Sequence, residues 1–196
     1  MTYLDYQATT PLAPEVKEAM LPWLDQFANP HSPSTDGRRA AAAIEVARAK
    51  IEELFPAKGQ LSFTSGATEA LNWALKGVFE RSDRRKLVTV ATEHAAVLDT
   101  ADWLEGQGAE VVRLPVGTDG RVDLDQARAV IDDRTALVAV MLVNNEIGVL
   151  QPVEAIGALA QANGALMLCD AVQGFGRVDL PQSADLIAVS AHKIHG

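Results

Sequence analysis

The sequence predicts an α/β domain with a largely parallel sheet. Three observations point there. Apolar runs of strand length alternate with amphipathic helical segments through short connections. The run Thr135 to Val143 is apolar without alternation, as expected of a strand covered on both faces. Loops after the apolar runs gather small and polar residues, and ligands bind at that end of strands in open α/β sheets. The chain has 196 residues, 48% hydrophobic and 22% charged, enough for one soluble globular domain or one and a half.

Residues 1–14 read as an extended arm, followed by a helix over Glu15 to Phe27. Apolar residues at Val16, Ala19, Met20, Trp23, Leu24 and Phe27 follow the helical period, and Pro22 predicts a kink or a break. Asn29 to Gly37 is a loop by composition. Thr35 or Asp36 is the expected cap of the next helix, Gly37 to Phe55, which Pro56 stops. Gln60 to Thr64 reads as a short strand, and Ser65 to Glu69 turns the chain into a helix over 67–80. Lys86 to Ala91 is a strand, followed by a helix from Ala95 to Glu105 that Gly106 and Gly108 end. A strand over Glu110 to Val116, a turn at Gly117 to Gly120 and a short helix from Asp123 to Ile131 lead into the central strand. After it come a helix over Pro152 to Ala162, closed by Asn163-Gly164, a strand over Ala165 to Cys169 and a last strand over Asp185 to Ser190.

Bulk properties exclude several classes of function. The net charge of -9, from 17 basic and 26 acidic residues, argues against nucleic acid or an anionic membrane as the main partner. One cysteine, Cys169, allows no internal disulfide and fits a reducing compartment. No basic region followed by an apolar stretch opens the chain, so no signal peptide is read. The longest apolar run, Ala136 to Val143, is too short to cross a bilayer, and the expected location is cytoplasmic.

The chemistry concentrates in four loops. Thr64-Ser-Gly-Ala-Thr68 joins a predicted strand to a helix. Free N–H groups there, with the Ser65 and Thr68 hydroxyls, suit a phosphate dianion, although either residue could simply cap the helix. His94 follows a strand, where an imidazole stacks on a ring, moves protons or serves structure alone. Asp170 ends the apolar run Leu166 to Cys169. A carboxylate there needs a partner, and a protonated pyridine nitrogen is a suitable one; a simple cap is the alternative. Gln173, three residues on, has the reach to meet a ring hydroxyl. Lys193 follows the last strand with Ser190 and His192, and a lysine condenses with an aldehyde to a Schiff base. A phosphate cradle, a stacking histidine, an acid for a ring nitrogen and a lysine for an aldehyde together describe pyridoxal 5′-phosphate. His192 and His195 have helical spacing but no further ligand cluster, so no metal site is read.

The stretches Tyr3 to Pro11, Ser65-Gly-Ala-Thr-Glu69, Thr92-Glu-His94, Asn144-Asn-Glu-Ile-Gly148, Asp170-Ala-Val-Gln173 and Ser190-Ala-His-Lys193 resemble the motifs of cysteine desulfurases. These are fold-type I, class V aminotransferase-like enzymes, and the resemblance runs over the whole chain. It implies an arm (1–14) followed by a pyridoxal-phosphate-binding large domain (15–196), incomplete at its C-terminus and truncated before the small domain. Lys193 would form the Schiff base, Asp170 would pair with the ring nitrogen and Gln173 with the ring hydroxyl. His94 would stack on the ring and transfer protons. Thr68, Ser190 and His192 would hold the phosphate, Ala67 would be among the cofactor-binding residues, and Asn145 would touch cofactor and substrate. Relatives of this kind take sulfur from L-cysteine, leave L-alanine and form an enzyme persulfide. The persulfide feeds a sulfur acceptor such as an iron–sulfur scaffold, or thiolated-RNA synthesis; a homodimer is implied too. The persulfide-forming cysteine, a substrate-binding arginine and the small domain would lie beyond Gly196, and this stretch alone is expected to be inactive. Cys169, in an apolar strand, is not that cysteine. Around His31 the loop departs from the usual Asn-Pro-Ser-Ser. Alternatives are another class V enzyme, such as a selenocysteine lyase or an aminotransferase, or a truncated non-catalytic protein that binds the cofactor or a partner.

Overall fold

The computed structural model describes residues 2–56 and 59–196; Met1, where the predicted arm begins, lies outside them. Five strands, β1 (Lys86–Val90), β2 (Glu110–Leu114), β3 (Thr135–Met141), β4 (Leu166–Asp170) and β5 (Leu186–Ala188), form one sheet in the order β2-β1-β3-β4-β5. Every pairing is parallel. The helices are α1 (Pro14–Leu24), α2 (Thr35–Glu52), α3 (Ala67–Arg81), α4 (Ala95–Gly106), α5 (Leu124–Val130) and α6 (Val153–Ala162).

The alternation of side chains along each strand divides the core into two. Leu87, Leu137, Ala139 and Leu168 face α3 and α4, packing with Leu71, Leu75, Val97 and Leu104. Val88, Val90, Val138, Val140, Met167 and Cys169 face the other way, toward Ala127, Ile131, Ile156 and Ala160 of the α5 and α6 side. All seven residues of β3 are buried, as its unbroken apolar run predicts. Each fully buried Leu or Val side chain contributes roughly 1.5–3 kcal/mol relative to exposure. A three-layer α/β/α sandwich results.

Local chemistry explains most boundaries. Asp123 caps α5 through the amides of Asp125 and Gln126. Gly164, at φ 66°, takes the left-handed turn that releases the chain from α6. Ser34, not Thr35 or Asp36, caps α2, accepting from the Gly37 amide at 3.0 Å. At Gly37 a Cβ would collide with the carbonyls of Ser32 and Asn29, so only glycine lets loop 29–34 lie against the helix start.

Three expectations need correction. The predicted strand Gln60 to Thr64 is irregular. Its backbone turns to side chains instead: the Leu61 amide donates to Glu52 Oε1 at 3.1 Å, and the Arg48 guanidinium donates to the Leu61 carbonyl. The first helix ends at Leu24 and not Phe27; Pro22 sits in its last turn without splitting it. The last strand is three residues long, and the chain then folds into a 3₁₀ turn at Ala191–Lys193.

Candidate active site

Strand β1 has β2 on one side and β3 on the other, so the chain reverses its direction of winding there. The helix after β1 covers one face and the helix after β3 covers the opposite face. Ligands of such sheets bind in the crevice that opens between these two strands at their carboxyl ends. Thr92 to His94 and Asn144 to Gly148 are the loops that flank it. Asp170 ends β4, and Ser190 to Lys193 follow β5. Asp170 and Ala188 are register partners, so the acid and the lysine leave neighbouring strands on the same edge. Only Ser82 to Arg85 separate α3 from β1, so α3 runs back along the sheet with its N-terminus at that edge.

Asp170 is 6% exposed. Its Oδ1 accepts the Val172 amide at 3.0 Å. Burial raises its pKa above the usual carboxylate value, against the pull of the Val172 N–H, His94 and Lys193. Lys193 donates from Nζ to the carbonyls of Gln7 at 2.5 Å and Ala8 at 2.8 Å. Burial lowers its pKa and Arg177 adds to that, while Asp5 and Asp170 oppose. Asp170 therefore lies within electrostatic range of both Lys193 and His94.

His94 caps α4, its Nδ1 accepting from the Ala96 amide at 3.1 Å. That bond puts the ring proton on Nε2 and fixes the plane of the imidazole. Helix α3 has no side-chain cap, so neither Ser65 nor Thr68 serves as one. The first amides of a 15-residue helix, at Ala67 and Thr68, stay available to an anion. Ser65 donates its amide to Glu69 Oε2 at 2.6 Å, and hydrogen bonds from Ser65 hold the Glu69 carboxyl below its usual value. Gln173 donates to the Gln7 carbonyl at 2.9 Å, and His192 Nδ1 meets Thr9 Oγ1 at 3.1 Å.

Three contributions escape the sequence reading. The N-terminal arm folds back over the Lys193 turn, which no local pattern signals across more than 180 residues. Asn144 organises the loop in which Asn145 sits: its Nδ2 donates to the Thr92 carbonyl at 2.9 Å, and its Oδ1 accepts from Glu146 and Ile147. Glu93 is 6% exposed; Oε1 accepts the Met141 amide at 2.8 Å, and Oε2 has no partner among the described residues. Burial raises its pKa well above the usual value, and the Asp170 charge adds to the effect. An acid three residues past the end of β1 was its available signal, close to the one used for Asp170.

Pyridoxal 5′-phosphate fits this set of groups. The buried acid matches a ring N–H, the amine matches an aldehyde, and the uncapped helix start with Thr68 matches a phosphate dianion. Comparison with known proteins agrees. Cysteine desulfurase IscS of Rickettsia bellii (strain OSU 85-389) is 45% identical over 202 residues, 99% of this chain and 49% of the relative. The protein of that name from Ehrlichia chaffeensis (strain ATCC CRL-10679 / Arkansas) is 44% identical over 200 residues, 98% of this chain and 49% of the relative. The chain spans about half the length of the curated relatives it matches. A solved NifS-like protein superposes with a TM-score of 0.94 at 35% identity, covering 100% of this chain and 56% of that one. A structure described as SspA in complex with cysteine gives 0.92 at 35%, covering 100% and 58%. DndA from Streptomyces lividans gives 0.86 at 40%, covering 99% and 56%. The sequence model of the class-V aminotransferases matches residues 2–196, and the chain belongs to that family, whose cofactor is pyridoxal 5′-phosphate.

Proposed function

We propose that this chain is the cofactor-binding part of a cysteine desulfurase. The observation that carries the reading is the placement of Lys193 and buried Asp170 after adjacent strands at one sheet edge, each within range of the other's charge. Bound pyridoxal phosphate supplies an electron sink for breaking bonds in an amino acid joined to it.

This chain's residues would orient and tune that group. Asp170 holds a proton at the ring nitrogen, and a charged ring N–H returns the partner its burial lacks. Lys193 presents its amine to the aldehyde, and its lowered pKa favours the neutral nucleophile. His94 sets its ring over the cofactor and offers Nε2 for proton transfer, its other nitrogen being engaged by Ala96. Ala67, Thr68, Ser190 and His192 take the phosphate, Gln173 the ring hydroxyl, and Asn145 both cofactor and substrate.

L-cysteine is the proposed substrate, supported by the IscS relatives and by the likeness to SspA, whose description names cysteine. L-alanine and a persulfide for an iron–sulfur scaffold or thiolated RNA would be the products, with the sulfur-accepting cysteine supplied from outside these residues. Cys169 does not serve, because burial raises its thiol pKa far from the reactive range. A homodimer is part of the proposal: α1 buries none of its residues, and Trp23, Leu24 and Phe27 lie bare. So is a cytoplasmic location, to which the absence of any long apolar helix among the described residues raises no objection.

The test is spectroscopic. Protein incubated with pyridoxal phosphate should absorb in the visible, and borohydride should fix the label on Lys193. Folded protein that stays colourless would overturn the proposal. Transamination by the full-length protein without sulfide release from cysteine would instead favour an aminotransferase.

A further inference from the structure

We infer that Thr10 is a positioning residue, the pin that holds the Lys193 turn and so sets where the lysine amine stands. The inference rests on the proposed role of Lys193, and it begins from burial. Among residues 2–12, Thr10 alone is buried. Its hydroxyl is spent on hydrogen bonds.

Those bonds straddle the lysine. The Thr10 amide and the Thr10 hydroxyl both donate to the His192 carbonyl, each at 2.9 Å. The same oxygen, Oγ1, accepts the His195 amide at 2.7 Å. One hydroxyl thus ties the backbone just before Lys193 to the backbone two residues after it. His195 also sits at φ 65°, a left-handed conformation that a residue with a Cβ adopts only when held there. Its other contacts come from the arm as well: its carbonyl accepts the Ala13 amide at 3.0 Å, and Nδ1 lies 2.8 Å from the Pro11 carbonyl.

The arm reaches the amine too. Gln7 and Ala8, whose carbonyls receive Lys193 Nζ, lie three and two residues before Thr10. Thr10 is therefore the fixed point of a strap that ends on the lysine. The short strand β5 and its 3₁₀ turn do not provide such a point: the turn's own bonds, such as Lys193 N–H to the Ser190 carbonyl at 3.2 Å, stay within residues 190–196, and Arg177, which donates to the Lys193 carbonyl at 2.6 Å, holds that one carbonyl without bridging the two sides of the lysine. A hydroxyl is needed, since it must donate and accept at once. Serine meets that demand; valine and alanine do not.

The experiment compares wild type with Thr10→Val, Thr10→Ala and Thr10→Ser. Without cofactor, each protein is treated with an amine-reactive anhydride, and labelling of Lys193 is read by peptide mass against Lys17, Lys50 and Lys76. Loss of the hydroxyl should raise labelling of Lys193 roughly fivefold, the factor that one hydrogen bond of ordinary net strength implies, and leave the other lysines unchanged. Amide exchange at His195 should accelerate in the same two variants, and Thr10→Ser should match wild type in both measurements. With pyridoxal phosphate, the pH midpoint of the visible band should move in Thr10→Val and Thr10→Ala only. Should Thr10→Val unfold, seen as faster labelling of every lysine, Thr10→Ala decides, because it adds no methyl group where the hydroxyl stood. Unchanged Lys193 labelling in a folded variant, or Thr10→Ser behaving like Thr10→Ala, would overturn the inference. Wild type that never binds the cofactor, with labelling still sensitive to Thr10, would sink the proposed function and leave the pin intact.

Discussion

The two ends of the same five strands treat charge in opposite ways. At the amino edge, the buried lysine is answered by charge. Lys86, 4% exposed, meets Asp132 at 3.0 Å and Glu110 at 3.9 Å, and Arg134 closes the network on both acids. Arg84 donates to the carbonyls of Thr135, Asn163 and Gly164, sealing the ends of neighbouring elements. At the carboxyl edge, Glu93 and Asp170 are equally buried but meet no cation in a hydrogen bond, and Glu93 Oε2 has no partner among the described residues. The first edge lowers an acid's pKa and the second raises two. Charge that is paired serves the fold; charge left costly and unpaired waits for a ligand.

Substitutions at the two edges should therefore separate stability from cofactor binding. Asp170→Asn carries the largest expected effect: retention of pyridoxal phosphate should fall roughly 10- to 100-fold, the worth of a charged hydrogen bond, with no loss of melting temperature. Equal cofactor retention would break the contrast. Asp132→Asn at the other edge should do the reverse. It should lower the melting temperature by removing the charged hydrogen-bond partner of buried Lys86 and leave cofactor binding alone. Asp132 has a depressed pKa in the folded state, through the Lys86 hydrogen bond first and Arg134 as well. Its contribution is thus complete above its ordinary value of 3.8 and disappears only as pH falls through the lower folded value. Acid unfolding of wild type and Asp132→Asn, followed by circular dichroism, reads this directly.

Glu93 has the opposite sign. Its raised pKa means the folded state keeps a proton that the unfolded chain gives up, so stability declines as pH rises above 4.5 toward the folded value. Glu93→Gln, which mimics the neutral acid, should flatten that decline and match wild type at low pH. Denaturant titrations at several pH values test it, and an unchanged slope would mean that Glu93 is ionised in the fold. The smallest effect is expected at His94. His94→Ala should cost about 0.5–1 kcal/mol through the lost cap of α4, and His94→Asn should restore that loss while leaving any contact with a cofactor ring absent. Thermal melts beside visible spectra separate the two roles.

Where the sequence read well, the signal was local. The core strands and α3 to α6 follow from runs and periods that each segment carries in itself, and their ends from caps such as Asp123 and turns such as Gly164. It read less well where a segment's state depends on a distant partner. The residues Gln60 to Thr64 have strand composition, but α2 side chains take their backbone groups. Helix α1 has an amphipathic period and buries nothing. The four polar loops were visible, and so were Asp170, His94 and Lys193; Glu93 and Asn144 lay inside quoted motifs and went unassigned, because their roles are bonds to other strands' loops.

By itself the sequence determined the α/β class, most of the sheet's strands and the residue types a pyridoxal cofactor needs, because apolar period, turn chemistry and strand-end polarity are properties of neighbours along the chain. The tertiary structure alone decided the strand order that opens a crevice between β1 and β3, the burial that shifts Glu93 and Asp170, and the return of residues 7–13 onto the turn of Lys193. Each of these depends on contacts between residues far apart in the chain, and one-dimensional spacing carries no record of which distant groups will meet.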